Sequence, residues 1–441
     1  MKPLIGIKRS VGRQLTRFLR RSGIESGGGG RRWQGSPVLG APQNSTLAAR
    51  GLTAQRAGAA SVNTPHGARI VETWTAALIG KGWQARSRHP DPEVARPLNA
   101  SFEALTGPVL VPLCRSLVRD GEAFVRLRLT EDGALRLQLL PVEQIDPSVN
   151  RDLGGGGRIV AGIEFDAQDE VVAYHVLPEA PGTPFVTYDA PVRVPARDML
   201  HVFDPLFPGQ VRGLSWLSPV LLKLRDRDEA SDALLMQLKT ASLLTGYVRD
   251  PDGTFAGFDG TQDGSTLNVA LEPGAMRILP PGADVTFSNP GSGLSQAVEF
   301  MRSQDREVAA GAGLTFEQLT GDLSDANYSS ARVGLLEFRR RAEMLQRQLI
   351  EGQFLAPLWR RWIEIRALSG EIDAPLPDYL PVRFVAPGWQ WVDPAKEVSA
   401  DVAAIEAGLK SREEVVAGRG RDIDELDEER ARDRAEGGQA A

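Results

Sequence analysis

The sequence is poor in the residues that most enzyme chemistry needs. In 441 residues it has one cysteine, Cys114, and four histidines, His66, His89, His175 and His201. One cysteine forbids an intramolecular disulfide and any multi-cysteine metal site, and it fits a reducing compartment. The histidines are far apart, without an i, i+3 or i, i+4 partner, and no H-E-x-x-H occurs, so surface or core roles explain them better than ligation. A phosphate loop is also missing: Gly80-Lys81-Gly82 runs into Trp83 without the spaced glycine. Lysine is scarce, 7 against 44 arginines, a bias that GC-rich codon usage explains as well as any function does. Long apolar runs are absent. The longest stretch without a charged residue, 33–49, is rich in Gly, Pro, Gln, Asn and Ser, whereas a membrane span needs about 20 mostly apolar residues.

Three further patterns carry no chemistry. Asp250, Asp252, Asp259 and Asp263 suggest calcium, but an EF-hand counted from Asp250 would need Gly and Glu where Phe255 and Thr261 stand. Ordinary Asp-Gly turns explain the cluster. Cys114 has no neighbouring base and reads as a buried side chain. The N-terminus, MKPLIGIKRSVGRQLTRFLRR, has charges every few residues and no apolar centre, so no secretory signal is expected. Residues 5–19 would suit a basic amphipathic helix of membrane-surface or transit type; a solvated basic arm is the simpler reading. No cofactor, metal site or catalytic constellation is expected, although a triad need not be local in sequence.

What is present is length and segregated charge. The chain allows about three domains. Its net charge of −6 sums very different parts. Residues 1–66 hold 11 bases and one acid, Glu25, with few large apolar residues after Leu19, and read as a basic flexible arm without a core. Residues 396–436 hold 13 acids and eight bases, an acidic helical tail.

Between them the pattern is that of an α+β chain. Ile70, Val71, Trp74, Leu78 and Ile79 recur at helical spacing. A second helix is expected over 105–117, its start blurred by Pro108 and Pro112. Strands follow at 123–129 and 135–139 around Asp132-Gly133, a hairpin signal, then at 159–165 and 171–177 after the flexible link 154–157. Ser218-Pro219 reads as a cap and first turn of a helix running to about Leu244, roughly 40 Å long. Residues 246–291 are turn-rich, with short strands near 247–248, 267–271, 276–279 and 285–287. A helix over 295–310, a glycine-containing loop over 311–328, and a long helix that Pro357 should kink complete the body.

Three stretches carry a resemblance. They are Gln210-Val211-Arg212-Gly213-Leu214-Ser215-Trp216-Leu217-Ser218-Pro219, then Phe316-Glu317-Gln318-Leu319-Thr320-Gly321-Asp322-Leu323-Ser324 through Asn327-Tyr328-Ser329-Ser330 to Arg340, and Gly388-Trp389-Gln390-Trp391-Val392-Asp393-Pro394. Taken in this order, over about residues 60–430, the chain resembles the lambda-type portal proteins of tailed bacteriophages. The resemblance implies a wing (67–212), a stem helix (213–245), a β-rich clip (246–292), a second stem helix (293–313), a tunnel loop (314–328), a long kinked wing helix with a following strand segment (329–393) and a C-terminal crown or tail (394–441).

It further implies a homo-oligomeric ring, commonly of twelve subunits, at one capsid vertex. Double-stranded DNA would pass through it, driven in by the terminase motor and later ejected. Major capsid, scaffold and head–tail connector proteins would be further partners, with no membrane and no catalysis. Assembly would take place in the host cytoplasm and the product would reside in the virion.

A channel for sliding DNA should touch phosphate weakly and without sequence preference. Arg302 and Arg306, one helical turn apart, are therefore candidate basic belts, the plainer reading being pairs with Glu299 or with a neighbour's acids. The loop holding Glu317, Asp322, Asp325 and Asn327 is a candidate acidic valve. Asp252, Asp259 and Asp263 are candidates for docking the terminase. Two other functions fit more loosely: another ring or adaptor of the virion, and a basic-armed DNA-binding enzyme or regulator.

Overall fold

The computed structural model of the chain describes residues 39–131, 133–184, 189–242, 246–249, 261–263, 266–268, 284–287, 294–324, 328–372, 375–389 and 394–437. It is a mixed helix and sheet protein. Helix α1 (Pro42–Asn63) leads into α2 (Pro65–Ile79), β1 (Gln84–Ser87) and α3 (Pro92–Asp120). The expected arm over 1–66 therefore does not extend through 42–63. Those residues make a helix that buries Thr46, Arg50, Ala54 and Ala57. Buried positions four, four and three apart form a helical stripe, but one of small and charged residues that an apolar pattern does not reveal.

Helix α3 is likewise longer than the expected 105–117, and it contains Pro97, Pro108 and Pro112. All three prolines lie on its exposed side, where carbonyls deprived of a donor meet water. The opposite side buries Leu98, Phe102, Leu110, Leu113, Leu117 and Val118, and this packing outweighs the missing bonds. Cys114 is fully buried on the same side, and burial pushes its thiol well up, away from the reactive thiolate.

The hairpin expected at Asp132-Gly133 is present. β2 (Glu122–Leu129) pairs with β3 (Leu135–Leu140), Leu129 opposite Leu135. A second antiparallel sheet runs β4 (Arg151–Gly154), β5 (Gly157–Val160), β6 (Ile163–Phe165), β7 (Val171–Val176), β8 (Val192–Pro195) in chain order. The expected single strand over 159–165 is two strands reversed at Ala161-Gly162, with Ala161 at φ 51°. The expected flexible link 154–157 is the reversal between β4 and β5. β9 (Met199–Phe203) returns to the far edge of β2, giving the order β3-β2-β9.

β2 is buried on both faces. Ala123, Val125 and Leu127 join the large helical core, while Phe124 joins a second core with Ile145, Ile163, Tyr174, Val194 and Met199 between the two sheets.

Helix α4 (Leu221–Ser242) follows a turn at 216–220, so Ser218-Pro219, expected as cap and first turn, sits in that turn ahead of the helix. β10 (Gly246–Arg249), β11 (Thr261–Asp263), β12 (Thr266–Asn268) and β13 (Asp284–Phe287) pair as β10–β13 and β11–β12. The strand expected at 276–279 lies outside the described residues. Helix α5 (Leu294–Ala312) then returns to the body. The loop expected over 311–328 contains the short helix α6 (Phe316–Thr320), fixed by a capping box between Thr315 and Gln318.

The long helix is α7 (Tyr328–Leu345), a π-helical stretch Gln346–Leu355, and α8 (Ala356–Leu368). The irregularity precedes Pro357, whose ring and missing N–H fall in the first turn of α8, where both are tolerated. β14 (Val382–Val385) pairs with β1. Helices α9 (Pro394–Glu406), α10 (Arg412–Ala417) and α11 (Ile423–Gly437) close the described chain.

One buried charge cluster ties these layers. Glu122, fully buried, accepts from Arg50 of α1 (Nε, 2.8 Å), Arg212 (Nε 3.0 Å, Nη2 2.8 Å), the Gly213 N–H (2.8 Å) and His201 of β9 (2.9 Å). Arg212 also donates to the Ile145, Ala161 and Val142 carbonyls, so one guanidinium joins β2 to the second sheet. Burial alone would raise the Glu122 carboxyl; Arg212, then Arg50, then the His201 bond overcome it and hold it well below the usual range. His201 is held below its ordinary value, chiefly by burial, against the opposing bond to Glu122.

Two outcomes are expected. Glu122→Gln strands two buried guanidiniums without a counter-charge and should cost about 3–5 kcal/mol, read as a lowered urea midpoint. Unfolding takes up a proton on His201 once the pH drops below about 6.5, so stability falls through that point and levels off below the folded value. The Glu122 contribution is complete above about 4.3 and is lost only as pH falls through its much lower folded value. Melting temperature should therefore drop between pH 7 and 5, and His201→Gln should flatten that slope.

Candidate functional site

Four of the residues that the sequence singled out, Arg302, Arg306, Glu317 and Asp322, meet where the two helices α4 and α5 leave the body. The helices are antiparallel neighbours: Lys223 pairs with Glu307 at 2.7 Å, and Arg227 with Asp305 at 2.9 Å. Asp305 also meets His66 at the start of α2, at 3.2 Å. Burial would raise the Asp305 carboxyl, but the bonds from His66 and Arg227 hold it below its usual value. One carboxylate thus anchors both helices to α2.

Trp74 of α2 is the second anchor. Its Nε1–H donates to the Ala312 carbonyl at 2.9 Å, where α5 ends. Its ring meets Trp216, which precedes α4, edge-on at 5.4 Å, and Phe338 of α7 at 4.9 Å. Entry to the helix pair, exit from it and the long helix therefore rest on one indole. Arg69, one turn earlier, donates to the Gln318 carbonyl of α6 at 2.8 Å.

The candidate belt residues both turn towards the acidic loop. Arg302 pairs with Asp322 at 3.2 Å, and the exposed Arg306 places its guanidinium 5.4 Å from the Phe316 ring. Bonds from Ser324, and then Arg302, hold the Asp322 carboxyl below its usual value. Glu317 lies half-buried in the first turn of α6, a favourable place for a carboxylate. Asp325 and Asn327 lie outside the described residues, as do Asp252 and Asp259. Asp263 ends β11, opposite Thr266. The structure thus brings Arg302, Arg306, Glu317 and Asp322 to one junction, and Asp263 lies apart in the insert between the helices. Among the described residues no three His, Cys, Asp or Glu side chains gather as a metal site, and no helix is long and apolar enough to cross a membrane.

Beyond this junction the helix pair is bare. Among its described side chains α4 buries only Leu224, and α5 only Asp305, Val308, Ala309 and Ala312, all near the body. Leu222, Leu235 and Leu238 of α4 and Val298 and Phe300 of α5 are 69, 50, 44, 55 and 53% exposed.

Sequence reading missed Arg50 and Glu122, gave His201 no more than a surface or core role, and quoted Arg212 only within a motif. The quoted stretch owes its form to that cluster. Gly213 and Gly121 approach so closely that a Cβ on Gly213 would lie 2.1 Å from the Gly121 carbonyl oxygen. Trp216 N then donates to the Val118 carbonyl, which aims the chain into α4. Gly213→Ala should therefore prevent accumulation of soluble protein. Gly133→Ala, at φ 84° but with open space around it, should cost only about 1–2 kcal/mol. Soluble yield and thermal melting check both.

Comparison with known proteins follows the same segments. The family model described as phage portal protein, lambda family, matches residues 28–346. That range covers the first two quoted stretches and ends before the third, at 388–394. The probable portal protein of Halomonas phage phiHAP-1 is 28% identical over 332 residues, 70% of this chain and 62% of that protein. Portal protein B of Escherichia phage lambda is 23% identical over 353 residues, 72% of this chain and 66% of that one. The chain thus spans 62–66% of the length of these curated relatives. A chain in the virion of a native gene transfer agent particle aligns over 87% of this chain and 95% of its own, with a TM-score of 0.46 and 17% identity.

Proposed function

Because the chain belongs to the lambda family of phage portal proteins, we propose that copies of it close into a ring at one capsid vertex, through which double-stranded DNA is packaged and later ejected. The observation that carries this reading is the uncovered apolar surface of the α4–α5 pair. Each of its large side chains that leaves water at a neighbour's surface stabilises assembly by up to about 1.5–3 kcal/mol. One patch meeting a different patch, head to tail, gives a ring when the rotation closes. Anchoring at Asp305 and Trp74 would fix the angle at which each pair projects, and so the rotation between copies.

In this reading α4 and α5 are the stem, residues 246–292 the clip that meets the large terminase subunit and then head–tail connector proteins, and 314–328 the tunnel loop. Arg302 and Arg306 face a loop that carries Glu317 and Asp322, two charges of each sign, which leaves the junction close to neutral. A near-neutral lining lets a polyanion slide, whereas an unbalanced arginine belt would hold it. The subunit would supply no catalysis; the energy for packaging would come from the motor.

Electron micrographs of the purified protein should show closed rings with a central hole wide enough for duplex DNA. Leu235→Glu combined with Phe300→Glu should leave the circular dichroism unchanged and abolish the rings. Persistent rings would remove the stem from the interface. Neutralising Glu317, Asp322 and Asp325 together should lower packaging yield or genome retention, and unchanged values of both would end the valve role of the loop.

A further inference from the structure

Antiparallel pairing of β1 and β14 sets Arg86 directly opposite Arg383. Like charges so placed repel. Arg88 continues the same edge just beyond β1, and Arg96 stands in the second turn of α3. The carboxylates that meet these four arginines come largely from α10, α11 and the residue just before α11. Glu425 pairs with Arg86 at 2.9 Å and Asp422 approaches it at 3.8 Å. Glu428 pairs with Arg96 at 2.6 Å. Glu413 pairs with Arg383 and lies 3.9 Å from Arg88. Among the described residues the body itself supplies Glu103 to Arg86, at 3.0 Å, and Glu93 to Arg96, at 3.4 Å.

The manner of attachment is unlike that of any other helix. Among the described residues from Pro394 onwards none is buried, and none belongs to either hydrophobic core. The segment is held by ion pairs whose members are mostly a third or more exposed, and by a backbone approach at Gly388 and Gly420. Exposed pairs of this kind contribute little each and weaken with salt. Helix α1, by contrast, is fastened through a buried guanidinium.

We propose that Arg86, Arg88, Arg96 and Arg383 form a binding surface for the phosphate backbone of duplex DNA, and that the acidic helices α10 and α11 of the same chain occupy it as a releasable cover. Guanidiniums take phosphate oxygens with the planar fork they now offer to carboxylates, and they read no sequence in doing so. The carboxylates on this strip stand where phosphates would stand. Duplex DNA exchanges with the cover when its local concentration is high, and screening by salt loosens both. The choice of duplex DNA as the polyanion rests on the portal reading; the covered arginine strip does not.

The test uses the full chain carrying Glu413→Gln, Asp422→Asn, Glu425→Gln and Glu428→Gln together, with two short fluorescent duplexes of unrelated sequence as probes. Hydrogen exchange over 394–437 should be faster than in the parent. Affinity for both duplexes should rise at least about tenfold at low salt, and four phosphate contacts should cost it roughly a hundredfold between about 50 and 200 mM salt. Adding Arg86→Gln, Arg88→Gln, Arg96→Gln and Arg383→Gln should abolish the gain. Unchanged exchange would overturn the releasable cover. Unchanged affinity despite faster exchange, or a gain that survives loss of the four arginines, would overturn the DNA surface. Rings are scored by electron microscopy in the parent preparation, so failure of the portal reading registers separately from failure of this one.

Discussion

Glu122 is the constraint on which the body depends. A carboxylate removed from water is costly unless it is paired and hydrogen-bonded. Here the partners come from three separate parts of the chain: Arg50 from α1, His201 from β9, and Arg212 and the Gly213 N–H from the segment that leads into α4. Each partner must be in place for the others to be tolerated. Burial, helped by the two arginines, holds His201 below its ordinary value against the opposing bond to Glu122. The cluster therefore fixes helix α1, the two sheets and the departure of the chain towards α4 in one all-or-none arrangement.

From this cluster the structure passes outward through a short series of rigid contacts. Gly213 packs against Gly121, Trp216 follows, and Trp74 receives it together with the end of α5 and the start of the long helix. A tilt of α4 and α5 would have to be accommodated at that indole and at Asp305. The loop bearing Glu317 and Asp322 hangs from the same place through Arg69. The helix pair, the loop and the long helix are thus mechanically joined at α2, through Trp74, His66 and Arg69.

Much of the fold could be read from periodicity. Helix α2, the hairpin β2–β3 and the pair α4 and α5 follow apolar spacing and an Asp-Gly turn. Where reading failed, a tertiary effect had overridden a local one. Helix α1 buries Arg50 and alanines, so its inner face carries no apolar signal. Helix α3 keeps three prolines because their bare carbonyls face water. The π-helical stretch before Pro357 has no sequence signature of its own; Gln346 and Gln353 inside it are held by the Ala77 carbonyl and the Phe203 N–H, contacts set by the rest of the fold. At the candidate site, helical spacing put Arg302 and Arg306 on one side of α5. What they touch depended on the folding of α6, which spacing could not give. Glu122 and Arg212 are 90 residues apart, and only the strand pairing that brings them together gives either a meaning.

The bareness of α4 and α5 has a consequence for what stability means in this protein. If its apolar side chains meet other copies, as proposed for the ring, the helix pair draws free energy from association, and that contribution scales with the logarithm of subunit concentration. The body, fastened by its own buried charges and aromatic core, keeps its shape at any dilution. On that proposal the projecting pair would gain its apolar packing from other copies, while the individual subunit supplies the ion-paired helices and the socket from which they grow.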